Sequence, residues 1–370
     1  MIGVVSTSYP RSPDDYAGSF VRTRVQALVA AGESVEVIAA GEGGEERHGR
    51  VRVFRIAGAG IAELFYAGGA PEALAPPGLR LTPANPGLAI APWLEAFHFV
   101  SATMALVSRR AAGWSRIESH WLLPSALIAS AAAPHLVQRA HAHGGDVFLL
   151  GRVPGGAALA RFLCREGTEL VFASADLRAR FARLCVEDPE TLGARTCVQP
   201  APHDPLLFRP RSAGERQRLR ARFGLERFTV LAAGRLVPIK GFDVLVRALG
   251  HQPARVRPAL VIAGAGPEKA RLVRLAAACQ VDLRLLGAIS PATLADWMAA
   301  ADLFVHPCHR LPDGRSEGAP LVVREALATG LPVVASADGG LPDLAGRERL
   351  KLVVPGAVIS LAAEIRLALI

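Results

Sequence analysis

The amino-acid sequence predicts an α/β protein with two Rossmann-like domains, each a doubly wound parallel sheet, that face a central cleft. Short, fully apolar runs alternate with helical patterns, as expected for parallel strands covered by helices on both faces. The chain has 370 residues, which is enough for two domains. Hydrophobic residues make up 51% of it and charged residues 20%, so sizeable cores can form and intrinsic disorder is excluded.

The first half of the chain carries this pattern less evenly than the second. Apolar runs predict the strands, periodic patterns predict the helices, and residues 41–90 are less regular. The predicted strands cover residues 2–6, 35–39, 116–119, 136–142 and 170–174. The predicted helices cover residues 19–31, 92–112, 122–133 and 155–164.

The second half alternates more cleanly between strands and helices. Its predicted strands cover residues 229–233, 260–263, 283–286, 303–306, 333–336 and 352–354. Residues 198–211 contain four prolines, which exclude a helix and predict a linker. We therefore predict two domains, residues 1–204 and residues 205–370.

Basic charge is concentrated in the second half. Residues 1–200 hold 19 Arg and 18 acidic residues, whereas residues 201–370 hold 20 Arg and 3 Lys against 15 acidic residues. This balance suits a solvated arginine-rich surface, nucleic acid or a small phosphorylated ligand. The sequence has no zinc-finger spacing, no RNP-like aromatic run and no basic tail, so we predict no nucleic-acid partner.

The cysteines and the apolar segments predict a cytoplasmic protein. Five cysteines without a CxxC pair indicate reduced thiols rather than a disulfide framework or a zinc site. The first residues predict a strand rather than a signal peptide, and prolines interrupt the most apolar stretch, 121–137. Residues 91–114 predict a core-facing helix, and the alternative, an amphipathic helix at the inner face of the membrane, stays open.

The strongest motif covers residues 316–342. It reads as a glycine loop, a helix that opens near Pro320, a stop at Gly330 and a buried strand. Free N–H groups at such a helix start form an anion site. Glu317 lies on the loop, and Glu325 lies about five residues into the helix, roughly 7–8 Å along its axis. Two carboxylates at this spacing can hold different hydroxyls of one elongated ligand, or be ordinary surface residues.

Two further glycine motifs follow predicted strands. Arg235 and Lys240 come directly after residues 229–233, where cationic side chains can clamp phosphate oxygens. No GxxxxGK[ST] pattern occurs, so this is not a Walker A loop. Gly264 and Gly266 form a Gly-x-Gly turn after the next strand. The alternatives, a solvated loop and a plain tight turn, stay open.

Taken in order, these motifs resemble the family-4 glycosyltransferases, which are retaining enzymes of the GT-B fold. In the second half the resemblance rests on Gly234-Arg235-Leu236, Lys240-Gly241, Gly264-Ala265-Gly266-Pro267, Leu285-Leu286-Gly287-Ala288-Ile289, Ala301-Asp302-Leu303, the stretch from Glu317 to Glu325, and Gly339-Gly340. In the first half it rests on Ser6-Thr7-Ser8-Tyr9-Pro10, Ala17-Gly18-Ser19-Phe20-Val21-Arg22, Ser119-His120-Trp121, His143-Gly144-Gly145-Asp146 and Ser174-Ala175-Asp176-Leu177.

The resemblance implies a role for each matched residue. Arg235 and Lys240 would hold the donor diphosphate, Glu325 the ribose hydroxyls and Glu317 the hydroxyls of the transferred sugar. His143 would lie near the anomeric centre. The predicted catalytic residues are therefore Glu317, His143, Lys240 and Arg235. The predicted donor-binding residues are Gly18, Arg235, Lys240, Gly264, Gly266, Gly287, Ala288, Ile289, Glu317, Gly318, Ala319, Pro320, Leu321 and Glu325.

The function implied is a retaining, metal-independent glycosyltransferase in cell-envelope polysaccharide or glycolipid synthesis. It would move a sugar from a nucleotide-diphosphate-sugar to an acceptor hydroxyl, with residues 1–204 on the acceptor side and residues 205–370 as the donor domain. No Asp-x-Asp pair occurs, so we predict neither a metal nor a cofactor, and the partners are the donor and a saccharide or lipid-linked acceptor. Family members usually run further at the C-terminus, which predicts a truncated or abbreviated last helix.

Two alternatives stay open beside this function. A sugar-nucleotide epimerase shares the architecture, and a catalytically silent module could bind a sugar nucleotide without turnover. Because the motifs of both halves are intact, the sequence favours an enzyme. A phosphorylase would need a pyridoxal lysine, for which only 3 Lys are candidates.

Overall fold

The computed structural model describes residues 1–57, 86–165, 167–185, 192–193 and 195–369, with the main chain alone for residues 86–93 and 95. The chain divides into two compact units, Met1–Pro202 and His203–Ile370. Each unit is built on one sheet, and helices connect most of its strands. The predicted class, α/β with two Rossmann-like parallel-sheet domains, is confirmed.

The described strands of the first unit form one sheet. They are β1 (Ile2–Ser6), β2 (Val35–Gly41), β3 (Gly44–His48), β4 (Val51–Ala57), β5 (Arg116–His120), β6 (Val137–Ala142), β7 (Thr168–Phe172) and β8 (Thr196–Val198). Their spatial order is β3-β4-β2-β1-β5-β6-β7-β8. The order reverses between β1 and β5, and open α/β sheets bind ligands in the crevice outside such a reversal.

The β3–β4 hairpin lies within residues 41–90, which the sequence predicts to be less regular, and it adds an antiparallel pair to an otherwise parallel sheet. These two strands pair antiparallel, whereas β4 pairs parallel with β2. Strand β3 has the sequence Gly-Glu-Glu-Arg-His and is largely exposed at the sheet edge. Charged residues protect an edge strand from further pairing, and they leave no apolar run for the sequence to show. Residues 58–85 of the same stretch lie outside the described residues.

The described helices of the first unit connect these strands. They are α1 (Ser19–Ala30), α2 (Pro86–Arg110), α3 (Leu127–Ala132), α4 (Gly145–Leu150), α5 (Gly156–Leu163) and α6 (Ala175–Cys185). The prediction of one helix over residues 122–133 is wrong in its first half. Leu123 is extended there, with φ −113° and ψ 128°, because Pro124 disfavours the helical conformation in the residue before it.

Helix α2 packs one face into the core of the first unit. Phe99, Thr103 and Val107 follow one another at four-residue spacing and are all buried. Phe97 on another face is 73% exposed. The last three turns of this helix therefore have one face buried in the core.

The second unit has a six-stranded sheet among its described residues. Its strands are β9 (Thr229–Ala233), β10 (Ala259–Ala263), β11 (Leu283–Gly287), β12 (Leu303–His306), β13 (Val333–Ser336) and β14 (Leu350–Val353), in the order β11-β10-β9-β12-β13-β14. All neighbours pair in parallel. The helices are α7 (Ala213–Phe223), α8 (Phe242–Gly250), α9 (Lys269–Ala278), α10 (Pro291–Ala300), α11 (Leu321–Ala328) and α12 (Val358–Ala368). Strand order reverses between β9 and β12, which makes their carboxyl ends the expected ligand-binding edge.

Hydrophobic layers cover both faces of this second sheet. Val230 of β9 packs in one layer with Leu245 and Leu361, whereas its neighbour Leu231 packs in the other with Trp297. Successive strand residues point to opposite faces, so a strand buried on both sides must be apolar throughout. This explains why the second half of the sequence showed such clear runs.

Candidate functional site

The predicted donor-binding motifs of the second unit meet at one edge of its sheet. The loop carrying Arg235 and Lys240 follows β9, and the Gly264 turn follows β10. Gly287 ends β11, and Glu317 lies in the loop between β12 and helix α11. Because these strands are parallel neighbours, the carboxyl ends bring motifs from residues 234–321 together around the reversal between β9 and β12.

Lys240 and Glu317 form an ion pair across that reversal. The Lys240 Nζ donates to Glu317 Oε2 at 2.6 Å. Both side chains are largely buried, with 13% and 17% of their surface exposed. The two strongest sequence motifs therefore join in one charge-assisted hydrogen bond.

His306 is a third member of this cluster, and the sequence reasoning missed it. It ends β12, it is fully buried, and its Nε2 lies 3.7 Å from Glu317 Oε2. Burial lowers the pKa of His306, while Glu317 opposes that change. The signal that could have revealed it was a polar residue at the carboxyl end of a buried apolar strand.

The Glu317 carboxyl is ionised in this setting. Burial alone would raise its pKa, but the Lys240 ammonium and then His306 outweigh burial and hold the pKa well below its ordinary value. A buried carboxylate that keeps its charge next to a lysine is typical of functional sites.

Close backbone contacts bring the loops of this edge together. A Cβ on Gly241 would lie 2.0 Å from the Pro307 carbonyl oxygen, and one on Gly339 would lie 1.6 Å from the Glu317 carbonyl oxygen. Both glycines also have positive φ, 63° and 58°. Only glycine fits such positions, so these residues fix the loops that carry Lys240 and Glu317.

The Gly-x-Gly turn is built in the same way. A Cβ on Gly264 would lie 1.8 Å from the Gly234 carbonyl oxygen, and one on Gly266 would lie 2.5 Å from the Leu236 carbonyl oxygen. The Gly264 N–H donates to the Gly287 carbonyl at 2.8 Å. The turn therefore packs the loops after β9, β10 and β11 against one another.

Glu325 lies in helix α11 and has the opposite electrostatic setting to Glu317. It is 8% exposed, and burial raises its pKa to about 8. No described Lys or Arg forms an ion pair with it. The side chain is therefore predominantly neutral at pH 7 and can both donate and accept hydrogen bonds.

The remaining predicted donor residues lie around this edge. Gly318, Ala319 and Pro320 lead into helix α11, which begins at Leu321 with Pro320 as its N-cap. Ala288 is exposed and Ile289 is half-buried, directly after β11. Arg235 is half-buried on the β9 loop. Thus the structure gathers the predicted residues of the second unit at one sheet edge.

In the first unit, His143 belongs to a stack of three histidines. The rings of His120 and His141 stack at 4.6 Å, and those of His120 and His143 at 5.2 Å. His120 Nδ1 and His143 Nε2 form a hydrogen bond of 3.0 Å. Burial, followed by the charge of His141, lowers the pKa of His143 well below its ordinary value, so this ring is neutral at pH 7.

Two further motif residues hold the backbone around His143. Asp146 is fully buried and accepts N–H groups of Leu122 at 2.7 Å, Gly144 at 2.8 Å and His143 at 3.1 Å. Gly18 has φ 73°, and its Cβ would lie 2.5 Å from the Ser8 carbonyl oxygen. Asp146 thereby fixes the turn that carries His143. Gly18 packs the end of the loop between β1 and α1 against the beginning of the same loop.

One group of described residues has metal-ligating chemistry. Ligand atoms of Glu118, His120 and His141 lie within 4.8 Å of one another. Arg24 already donates to both oxygens of Glu118, at 2.9 and 2.8 Å. A guanidinium that neutralises the carboxylate competes with a cation for it, so this group fits a structural ion pair better than a metal centre.

Comparison with known proteins shows which family the second unit resembles. Residues 215–370 match the family model described as Glycosyl transferases group 1. This match covers most of the second unit and agrees with the predicted resemblance. Sucrose-phosphate synthase from Thermosynechococcus elongatus superposes with a TM-score of 0.73 over 100% of this chain and 89% of that one, at 22% identity. The fold is thus the GT-B fold.

Two relatives illustrate what the sequence is similar to. The GDP-mannose-dependent alpha-(1-6)-phosphatidylinositol monomannoside mannosyltransferase of Mycobacterium tuberculosis is 37% identical over 207 residues, 54% of this chain and 52% of that protein. The D-inositol 3-phosphate glycosyltransferase of Xylanimonas cellulosilytica is 40% identical over 190 residues, 47% of this chain and 44% of that protein. The chain spans about half the length of these curated relatives. Among the described helices, none is long and apolar enough to cross a membrane.

Proposed function

We propose that the chain is a retaining, metal-independent glycosyltransferase that moves a sugar from a nucleotide-diphosphate-sugar to an acceptor hydroxyl. The observation that carries the proposal is the buried Lys240–Glu317 pair, 2.6 Å apart, at the reversal of strand order in the group 1 domain. It joins a cation suited to phosphate oxygens with a carboxylate suited to sugar hydroxyls.

Charge explains how this pair would act. Cleavage of a sugar–diphosphate bond develops negative charge on the leaving oxygens. The Lys240 ammonium, the Arg235 guanidinium and the backbone N–H groups of Gly318, Ala319 and Leu321 can stabilise that charge. Glu317 keeps Lys240 oriented before the donor arrives, so little reorganisation is needed when the charge forms.

The other residues are assigned to parts of the donor that do not react. Glu325 would hydrogen-bond the ribose hydroxyls, and the backbone of Gly287, Ala288 and Ile289 would border the base. Gly264 and Gly266 would allow close approach to the donor, as would Gly18 in the first unit. The tight backbone contacts of these glycines hold the loops that carry this assignment, because a Cβ at Gly264, Gly266 or Gly18 would meet main-chain oxygens of nearby loop segments.

His143 is assigned to the anomeric centre. Its neutral ring and its hydrogen bond to His120 support a role as a hydrogen-bond partner of the sugar or the acceptor rather than as a cation. We name no covalent nucleophile. Attack by the acceptor hydroxyl on the face that the diphosphate leaves would retain the anomeric configuration.

Metal independence has its own support and test. The sequence has no Asp-x-Asp pair, and Lys240 with Arg235 offers positive charge for the diphosphate instead. Enzyme treated with EDTA should turn over donor at the untreated rate. If Mg²⁺ or Mn²⁺ restores activity lost on chelation, the metal-free proposal is wrong.

The donor and acceptor are proposed by class from the relatives. One is named for GDP-mannose and a phosphatidylinositol mannoside, the other for D-inositol 3-phosphate, so we propose a glycolipid or cell-envelope acceptor and cytoplasmic synthesis. The decisive experiment measures transfer from GDP-mannose, UDP-glucose and UDP-N-acetylglucosamine to inositol phosphates and phosphatidylinositol vesicles, with Lys240→Ala as the inactive control. Nucleotide binding without any transfer would favour the silent sugar-nucleotide-binding module.

A further inference from the structure

A groove lies at the opposite edge of the second sheet from Lys240 and Glu317. It has a volume of about 990 Å³, and its lining includes Phe228, Asp302 and Pro332. Phe228, Asp302 and Pro332 directly precede β9, β12 and β13, so the groove borders the amino ends of these strands. It is therefore separate from the edge where the donor residues meet.

The lining of this groove is strongly basic. It carries Arg211, Arg216, Arg324, Arg347 and Arg349, with Asp302 and Glu348 as its acidic residues. Asp302 is already used, because Arg220 donates to it at 2.9 Å and Arg216 also pairs with it. Glu348 is 91% exposed and lies 3.9 Å from Arg349. Asp302 and Glu348 therefore do not neutralise Arg211, Arg324 or Arg347 within the groove.

Arg324 and Arg347 are the least compensated of these cations. Neither forms an ion pair with any residue that the structure describes. Arg324 is half-buried, and its buried Nε has no hydrogen-bond partner. Arg211 also has a buried Nε without a partner, although its terminal nitrogens lie 3.7 Å from Asp296 and 4.0 Å from Glu215. Buried guanidinium N–H groups without acceptors are costly, so the polar groups of this cluster are not fully satisfied within the protein.

The pKa values agree with this geometry. Burial, and then the nearby charge of Arg347, lowers the pKa of Arg324. The same Arg324 charge, after burial, helps to lower the pKa of His203 in the groove wall. Positive charge therefore accumulates around Arg324 instead of being neutralised.

From the groove, its uncompensated arginines and their unpartnered N–H groups, we propose a second anion site that binds a phosphate ester. Arg324 and Arg347 would hold the phosphate oxygens, with Arg211 as a third donor. Guanidinium forks match phosphate geometry, and a groove of about 990 Å³ has room for a phosphorylated small molecule or a lipid headgroup. Phe228, Leu331 and Pro332 give the groove an apolar part beside its cations.

The site is tested by titrating the full chain with inorganic phosphate at low ionic strength and following binding by calorimetry. The double variant Arg324→Gln/Arg347→Gln should bind about 10-fold more weakly or worse, since each lost hydrogen bond joins two charged groups. The matched control Arg218→Gln/Arg274→Gln removes the same charge from two exposed arginines outside the groove and should bind like wild type. Equal loss in both double variants would overturn the proposal in favour of diffuse surface charge.

A second variant separates this site from the donor site. Lys240→Ala removes a cation of the donor edge, so phosphate binding that survives in this variant and is lost in the double groove variant belongs to the groove. Complete loss of phosphate binding in Lys240→Ala would assign the phosphate to the donor site and overturn the proposal. If the double groove variant does not fold, the single exposed change Arg347→Gln replaces it and should still weaken binding.

Flotation with phosphatidylglycerol and phosphatidylcholine vesicles distinguishes a lipid headgroup from a soluble phosphate ester as the source of the phosphate. Arg347-dependent binding to the anionic vesicles supports a lipid headgroup, and phosphate binding without vesicle binding supports a soluble ester.

Discussion

The Glu317 loop and helix α11 both bury a glutamate, yet one carboxyl is ionised and the other is neutral. Lys240 lies 2.6 Å from Glu317 and keeps that carboxyl ionised. Glu325 has no such neighbour, and burial raises its pKa to about 8. The comparison teaches that burial does not fix the charge of a carboxyl in this site. The nearest cation fixes it, so one glutamate can handle charge while the other offers a neutral hydrogen-bonding group.

The largest expected effect comes from removing the cation of the paired region. Lys240→Ala should lower kcat by about 100-fold or more, because a positive charge that stabilises the leaving diphosphate is lost. It should also destabilise the fold by about 3–5 kcal/mol, since Glu317 becomes a buried charge without its partner. Steady-state kinetics and urea unfolding measure the two effects. Lys240→Arg should restore part of kcat only, because a planar fork replaces a point charge.

The next effect comes from removing the paired carboxylate. Glu317→Ala should lower kcat by about 10-fold or more and change KM less, because a contact to the transferred sugar strengthens as the bond breaks. Glu317→Gln keeps the shape and removes the charge, so it should retain more stability than Lys240→Ala. Unchanged kcat in Glu317→Ala would show that this carboxylate does not act on the sugar.

Changes at the unpaired glutamate should be smaller and should appear in binding. Glu325→Ala should raise KM with little change in kcat, with about 1–3 kcal/mol of donor binding lost. Glu325→Gln should stay within about 3-fold of wild type at pH 7, because the native side chain is already neutral there. Calorimetry with free nucleotide checks both variants. If Glu325→Ala binds nucleotide as tightly as wild type, the assignment of the ribose to Glu325 is wrong.

The last prediction concerns stability rather than activity, and it is a difference in the pH dependence of the free energy of unfolding. Unfolded Glu325 ionises near pH 4.5, whereas the folded carboxyl keeps its proton until about pH 8. Its contribution to the free energy of unfolding is therefore complete below pH 4.5 and is lost progressively as the pH rises to 8. Glu325→Gln should abolish this loss, so its stability relative to wild type should increase between pH 5 and pH 8. Urea midpoints at the two pH values measure it, and a constant difference would contradict the raised pKa.

The sequence predicted most of the second unit because its strands are buried on both faces. Strands β9, β12 and β13 appear in the sequence as the apolar runs 229–233, 303–306 and 333–336, with the same limits. The first unit was harder to predict wherever tertiary contacts outweigh the local sequence pattern. The charged edge strand β3 has no apolar run, and Pro124 interrupts a stretch whose composition otherwise favours a helix.

The sequence predicted most of the residues that gather at the candidate site, but not the contacts between them. The motifs supplied Lys240 and Glu317, and parallel topology brings the ends of β9 and β12 together. Their ion pair depends on loop conformations that no spacing rule fixes. His306 was missed because a single histidine at the end of an apolar strand is a weak signal until the sheet places it near Glu317. The charge state of Glu325 likewise depends on what surrounds it, and no sequence window contains that information.

The glycine contacts at this sheet edge have a consequence for how the protein can change over evolutionary time. Main-chain atoms of neighbouring loops lie in close contact at Gly241, Gly264 and Gly339, so no side chain fits at these three positions. Ala288 and Ile289 stand on the neighbouring loop, the first exposed and the second half-buried, where other side chains have room. Under the proposed assignment of these two residues to the donor base, substrate preference can diverge through them while the three glycines stay constant. A mutational library over positions 288 and 289 should yield mostly folded variants, whereas one over the three glycines should yield few.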